Sequence, residues 1–149
     1  LHLSSEYLDK MENRPAAAEV ISRATYINCP KEIILDRLQG KYDYGDGRKE
    51  QDPNYMIFNQ RNCNFPSRTF GYWWLTQFRR WGMVKGAPDY KGLSSRVLRP
   101  DLYGAAMKEM GVKVTAADLA PVKLADTTFD PAKAEAYAKS FPVHNLQEA

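Results

Sequence analysis

Residues 67–82 constrain this chain more than any others: Ser-Arg-Thr-Phe-Gly-Tyr-Trp-Trp-Leu-Thr-Gln-Phe-Arg-Arg-Trp-Gly. All three tryptophans of the protein fall inside this stretch. Laid on a helix, Phe70, Trp74, Phe78 and Trp81 form one broad apolar stripe, because steps of three and four return to the same face. Burying each ring is worth roughly 2–3 kcal/mol. The spacing therefore predicts a helix over 67–82 with Phe70, Trp74, Phe78 and Trp81 as structural core. A stripe that large needs a surface to lie against.

The rest of the composition mostly excludes. The chain has 149 residues, enough for one domain with its own core. Its 21 Lys and Arg against 18 Asp and Glu leave a net charge of +3, spread along the sequence. Nucleic-acid binding needs basic residues clustered on one face, so that partner is not expected. No apolar run approaches the length of about eighteen residues that a membrane-spanning helix needs. The chain opens Leu1-His2-Leu3 without Met, leader or lipoprotein pattern, and Leu1, Leu8 and Met11 suit one helical face. The expectation is a processed or truncated C-terminal piece of a longer protein. A complete small protein with a cleaved leader is the alternative.

Proline and glycine divide the chain into a helical region over 1–40, an irregular loop region over 41–66, the aromatic helix over 67–82, and short helices with a tail over 83–149. In the first region Asn13-Arg14-Pro15 reads as a helix start with Asn13 as cap. Pro30 opens a helix with Ile34, Leu35 and Leu38 inward, and Gly40 is placed to end it. Tyr26-Ile27-Asn28 reads as extended, and Tyr42 to Arg48 as turn chemistry. Past the aromatic helix, Leu93, Val97 and Leu98 are expected inward on one helix, and Leu102, Ala106 and Met110 on the next, which Gly111 stops. Val112–Val114 and Val122–Leu124 read as extended. Asp130-Pro131 starts a last helix with Ala134, Tyr137, Ala138 and Phe141 inward. The sum is mainly α, six or seven helices with scraps of strand.

Motifs for catalysis or metal binding are poorly matched. Asp43-Tyr44-Gly45-Asp46-Gly47-Arg48 lacks the alternating oxygen ligands of a calcium loop, and Asn54 stands where its bidentate Glu belongs. His2 and His144 have no ligand partners at helical spacing. Cys29 and Cys63 match no nucleophile signature, and their spacing leaves both a disulfide and two free thiols open. Tyr72, Tyr90 and Tyr103 read as partly buried, and Met107 and Met110 as packing. No cofactor motif is present, and no enzyme is expected. The arginines offer more. Arg68, Arg79 and Arg80 bracket the aromatic helix, and Arg68 and Arg80 are the candidates for holding an oxyanion, since a guanidinium donates two parallel hydrogen bonds. The competing reading is that these side chains lie over aromatic surface or pair with carboxylates.

The aromatic segment, Ser-x-x-Phe-x-Tyr-Trp-Trp-Leu-Thr-x-x-x-Arg-Trp-Gly, resembles the C-terminal region of the nitrate/bicarbonate-type substrate-binding proteins of bacterial ABC transporters. Leu8-Asp9-Lys10-x-x-Asn13-Arg14-Pro15, Gly40-Lys41-Tyr42-x-Tyr44-Gly45-Asp46-Gly47-Arg48 and Arg99-Pro100-Asp101-Leu102-Tyr103 are similar to family stretches in the same order. The resemblance implies the C-terminal helical portion of a two-lobed α/β clamp of the periplasmic-binding-protein type (type II), with only short strands. It also implies a role in transport: a small inorganic anion such as nitrate, nitrite or bicarbonate as ligand, an ABC permease as partner, and the periplasm as location. A cytosolic nitrate-responsive sensor or transporter-regulatory domain of the same family is the rival reading. An unrelated helical interaction domain, docking through the aromatic helix, is a third. A share of a clamp leaves a face to cover, so the fragment is expected to self-associate.

Overall fold

The computed structural model describes residues 1–148; Ala149, the last residue of the expected tail, lies outside the described residues. The chain divides into two compact units, residues 1–64 and residues 65 onward, where the sequence is read as one segment.

The first unit holds α1 (His2–Asp9), α2 (Arg14–Ile21), α3 (Lys31–Leu38) and an antiparallel hairpin of β1 (Lys41–Asp43) and β2 (Lys49–Gln51). Pro15 sits in the first turn of α2 as expected, but Asn13 does not cap it with its side chain. The Asn13 amide donates instead to the Tyr7 carbonyl at 2.8 Å. Helices α2 and α3 pack through Ala18, Ile34 and Leu38, with Ile21, Leu35 and Phe58 around them. Gly40 ends α3 at φ +72°, where a Cβ would lie 1.9 Å from the Asp52 carbonyl oxygen; only glycine lets the chain turn so close.

Two polar hubs complete this unit. The Arg14 side chain is 2% exposed and donates to the carbonyls of Leu8 (2.9 Å), Met56 (3.1 Å) and Leu38. The Asp9 carboxylate accepts from the backbone N–H groups of Phe58, Asn59 and Gln60 at 2.8, 3.0 and 2.7 Å. Each satisfies several backbone groups of an irregular stretch that no ladder could reach.

The second unit holds α4 (Arg68–Arg80), α5 (Tyr90–Val97), α6 (Pro100–Glu109), a short antiparallel pair β3 (Val122–Lys123) and β4 (Thr128–Phe129), and α7 (Ala134–Lys139). Helix α4 packs against α5 and α7. Ser67, Asp89 and Asp130 supply side-chain caps at the starts of α4, α5 and the turn that leads into α7. Ala134, Ala138 and Phe129 are buried.

The aromatic helix forms where the periodicity places it, but these residues bury its other side. Phe70, Trp74, Phe78 and Trp81, expected as structural core, are 50, 55, 37 and 45% exposed, so these residues alone do not bury them. The buried side of α4 is Thr69, Thr76 and Arg79, each at most 1% exposed. The side it buries is held by polar partners: Thr69 Oγ1 donates to the Ala120 carbonyl at 2.9 Å, and Arg79 pairs with Glu135 of α7 at 3.4 Å. Gly71 lets the backbone of α4 approach α5, since a Cβ there would meet Ser94 Cβ at 2.8 Å and Leu98 Cδ1 at 3.0 Å.

Smaller corrections follow the same logic. On α6 the inward residue is Met107, while Leu102 and Met110 are exposed, and Val97 on α5 is exposed as well. Tyr26-Ile27-Asn28 is a turn, and residues 112–114 are irregular. The hairpin inside 41–66 and strand β4 are too short to display a two-residue alternation in sequence.

Candidate functional site

Helix α4 concentrates the groups on which a function could rest, with an arginine at its start, two at its end and an aromatic ridge between them. At its start, the backbone N–H of Arg68 donates to Asp118 Oδ1 at 2.8 Å, and its Nε donates to Oδ2 at 2.6 Å. A further guanidinium nitrogen donates to Ser95 Oγ at 3.1 Å. The Asp118 hydrogen bond raises the Arg68 pKa. Burial pushes the Asp118 carboxyl upward, but the Arg68 hydrogen bonds outweigh it and hold the group below the ordinary value.

At the helix end the two neighbouring arginines part company. Arg80 lays its guanidinium over the rings of Phe141 and Trp81, 3.7 and 4.5 Å from their centroids, and donates from Nε to the Val143 carbonyl at 3.0 Å. Arg79 is fully buried. It faces Glu135 at 3.4 Å and Glu148 at 2.8 Å, and donates to the Gln147 carbonyl. Asn145 N–H donates to the Arg80 carbonyl and Gly86 N–H to the Gln147 carbonyl, so residues 143–148 are strapped across the end of α4. Glu135 also accepts from the Tyr90 hydroxyl at 2.9 Å and pairs with Lys139 at 3.2 Å.

The structure thus does not bring Arg68 and Arg80 together as an anion fork; each is engaged by neighbours in its own chain. Sequence reasoning grouped Arg79 with them and missed that it is a buried anchor. The available signal was its position at i+10 from Thr69 and i+3 from Thr76, on the small-residue side of the helix. It missed Arg14, Asp9 and Asp118 as well, each of which has partners 24 to 51 residues away in sequence.

Between α4 and the β3–β4 pair runs an apolar groove of about 200 Å³, lined by Thr69, Phe70, Trp73, Trp74, Val122 and Phe129 among others. The Trp73 indole N–H is shut off from solvent there and has no acceptor among the described residues. Trp74 continues the ridge toward Phe78, with ring centroids 6.1 Å apart.

The loop carboxylates are spent locally: Asp43 accepts from Gly45 N–H and pairs with Lys49, and Asp46 accepts from Arg48 N–H and pairs with its guanidinium. Among the described residues no three His, Cys, Asp or Glu side chains are grouped to hold a metal. Cys29 and Cys63 are free thiols. No helix among the described residues is long and apolar enough to cross a membrane.

No family model matches the chain. It is 30% identical over 149 residues to the nitrate/nitrite-binding protein NrtA of Nostoc, a match that takes in 96% of this chain and 34% of that protein. It is 31% identical over 141 residues to the nitrate import ATP-binding protein NrtC of Synechocystis, covering 93% of this chain and 21% of the relative. Its fold matches the crystal structure of the periplasmic nitrate-binding protein NrtA from Synechocystis PCC 6803 with a TM-score of 0.86 at 26% identity. That match covers 95% of this chain and 39% of that one. The chain spans about a third of the length of the binding proteins it matches. Sequence and fold agree over nearly all of its residues: the chain is similar to one part of the nitrate/bicarbonate-type binding proteins.

Proposed function

We propose that this chain serves as the helical part of the solute-binding component of an ABC transporter for nitrate or a related small oxyanion, nitrite or bicarbonate. The observation that carries the reading is the fold match to a periplasmic nitrate-binding protein over 95% of the chain. In this reading the protein works in the periplasm, captures the anion by binding alone, and passes it to the membrane permease. Arg68, Arg79 and Arg80 are all engaged within the chain, and this reading assigns the anion contacts to polypeptide beyond these residues. What these residues supply is helical support for the clamp.

One observation favours a second reading. The same stretch also aligns with a nitrate import ATP-binding protein at 31% identity. The module then serves as a cytosolic regulatory domain, in which anion occupancy changes a contact with the transporter.

The test is a graft. This chain replaces the matching part of the Synechocystis nitrate-binding protein, and the product is titrated calorimetrically with nitrate, nitrite and bicarbonate. Binding of at least one anion is expected. A folded graft that gives no heat with any of the three refutes both readings.

A further inference from the structure

We infer that the aromatic face of α4 is a docking surface for the polypeptide that makes up the remainder of the binding-protein fold. The inference rests on reading the chain as part of a larger binding protein, and it assigns the face that joins the two parts.

Three observations carry it. Phe70, Trp74, Phe78 and Trp81 line one side of α4 and are roughly half exposed, while the opposite side is fully packed. The helix is therefore already held in place by the side opposite its rings. The groove beside Trp74 is apolar and open along the same face, lined by Phe70, Trp73 and Val122 as well. Finally, the fold match leaves roughly three-fifths of the Synechocystis chain outside these residues.

Magnitude selects the occupant. Aromatic side chains bury about 150–250 Å² each, so four half-exposed rings present about 400 Å². That lies within the range of the largest apolar patch a monomer ordinarily shows, and is about half of what each partner contributes to a standard free-standing interface. A face of this size suits one sector of a broad contact within a folded chain better than a dimer interface made by this helix alone. The flanking cations fit the same picture. Arg68 and Arg80 are bound to their own chain, which leaves the ridge between them free of a mobile charge that docking would have to desolvate.

The test compares this chain alone with the graft described above. Hydroxyl-radical labelling, read by mass spectrometry, reports the exposure of Phe70, Trp74, Phe78 and Trp81 in each. At least fivefold slower labelling of Trp74 and Phe78 is expected in the graft, with exposed Val97 on α5 as an unchanged reference. Trp74→Glu is expected to lower the melting temperature of the graft by about 5 °C or more while leaving that of the chain alone nearly unchanged. Equal labelling in the two contexts overturns the inference, as does an equal effect of Trp74→Glu or a graft that fails to fold. A dimer of the chain alone that Trp74→Glu dissolves assigns the face to a second copy and also overturns it. Calorimetry keeps the two proposals apart: a graft with protected rings that binds no anion refutes the proposed ligand and leaves the docking face standing.

Discussion

The Asp118 carboxylate grips Arg68 twice, once at the backbone N–H that opens α4 and once at the guanidinium. One side chain therefore both caps a helix and neutralises its first residue, across 50 positions of sequence. Replacing Asp118 by Ala leaves a backbone donor and a partly buried cation unpaired. Hydrogen bonds to charged groups are worth about 1.5–3 kcal/mol each, so a loss of about 2–3 kcal/mol is expected. Urea unfolding checks it, and the midpoint should fall while the slope stays constant.

The same carboxylate sets an acid limit. Asp118 and Glu135 are both held below their ordinary values: burial pushes each upward, but hydrogen bonds from Arg68 in one case and Tyr90 in the other outweigh it. Asp101, hydrogen-bonded by Arg99, is lowered to about 2. A group depressed on folding contributes stability that is complete above its unfolded pKa and lost as pH falls through its folded one. Unfolded Asp and Glu titrate at about 3.9 and 4.3. Stability is therefore expected to be level in these groups above about pH 5 and to decline between about pH 4 and pH 2. Asp118→Asn should flatten part of that decline, as urea midpoints across the pH range would register.

Two helical glycines should answer oppositely to alanine. At Gly104 on α6 nothing lies within 4 Å of a new Cβ, so Gly104→Ala is expected to stabilise by about 0.5–1 kcal/mol. At Gly71 the same Cβ meets Ser94 at 2.8 Å, and the overpacking cost of about 1–3 kcal/mol exceeds the helix-propensity gain. Gly71→Ala should therefore destabilise, and thermal melts of the two variants should shift in opposite directions.

Arg14 invites a substitution that looks conservative. Its planar fork reaches three carbonyls on separate segments and passes over the Phe58 ring at 5.4 Å. An ammonium cannot span that set, so Arg14→Lys is expected to cost about 2–3 kcal/mol through carbonyls left without donors. Accelerated amide exchange in α2 and α3 would mark where the loss falls.

How much of this was legible in the sequence depended on whether the governing contact was local. Ile34 and Leu38 facing inward, Gly40 and Gly111 ending helices and Ala134 and Ala138 buried on α7 all follow from spacing or backbone sterics within a few residues. The orientation of α4 did not. Amphipathic spacing shows that Phe70, Trp74, Phe78 and Trp81 differ from Thr69, Thr76 and Arg79. It does not show which side this stretch of chain covers by itself. Large apolar rings were the natural choice for the inside, yet Thr69, Thr76 and Arg79 take it, held by Ala120, Glu135 and Gln147, which are distant in sequence. Likewise Arg68 and Arg80 carried the right chemistry for an anion, but Asp118 and Phe141, their actual neighbours, are fixed only by the tertiary fold.

Trp74 gives that reversal a direct check. A buried core tryptophan changed to Ala costs about 3–5 kcal/mol. At 55% exposure, touching Trp73 and Phe78, Trp74→Ala in this chain should cost less than about 1 kcal/mol by chemical denaturation.

Because Trp73, Trp74 and Trp81 are the only indoles and all ride on α4 or its final turn, emission excited at the red edge of the aromatic band, beyond tyrosine absorption, is a private signal of the second unit. Residues 1–64 are dark at that wavelength. A melt followed by indole emission and one followed by peptide ellipticity will coincide if the two units come apart together, and will separate if either lets go first.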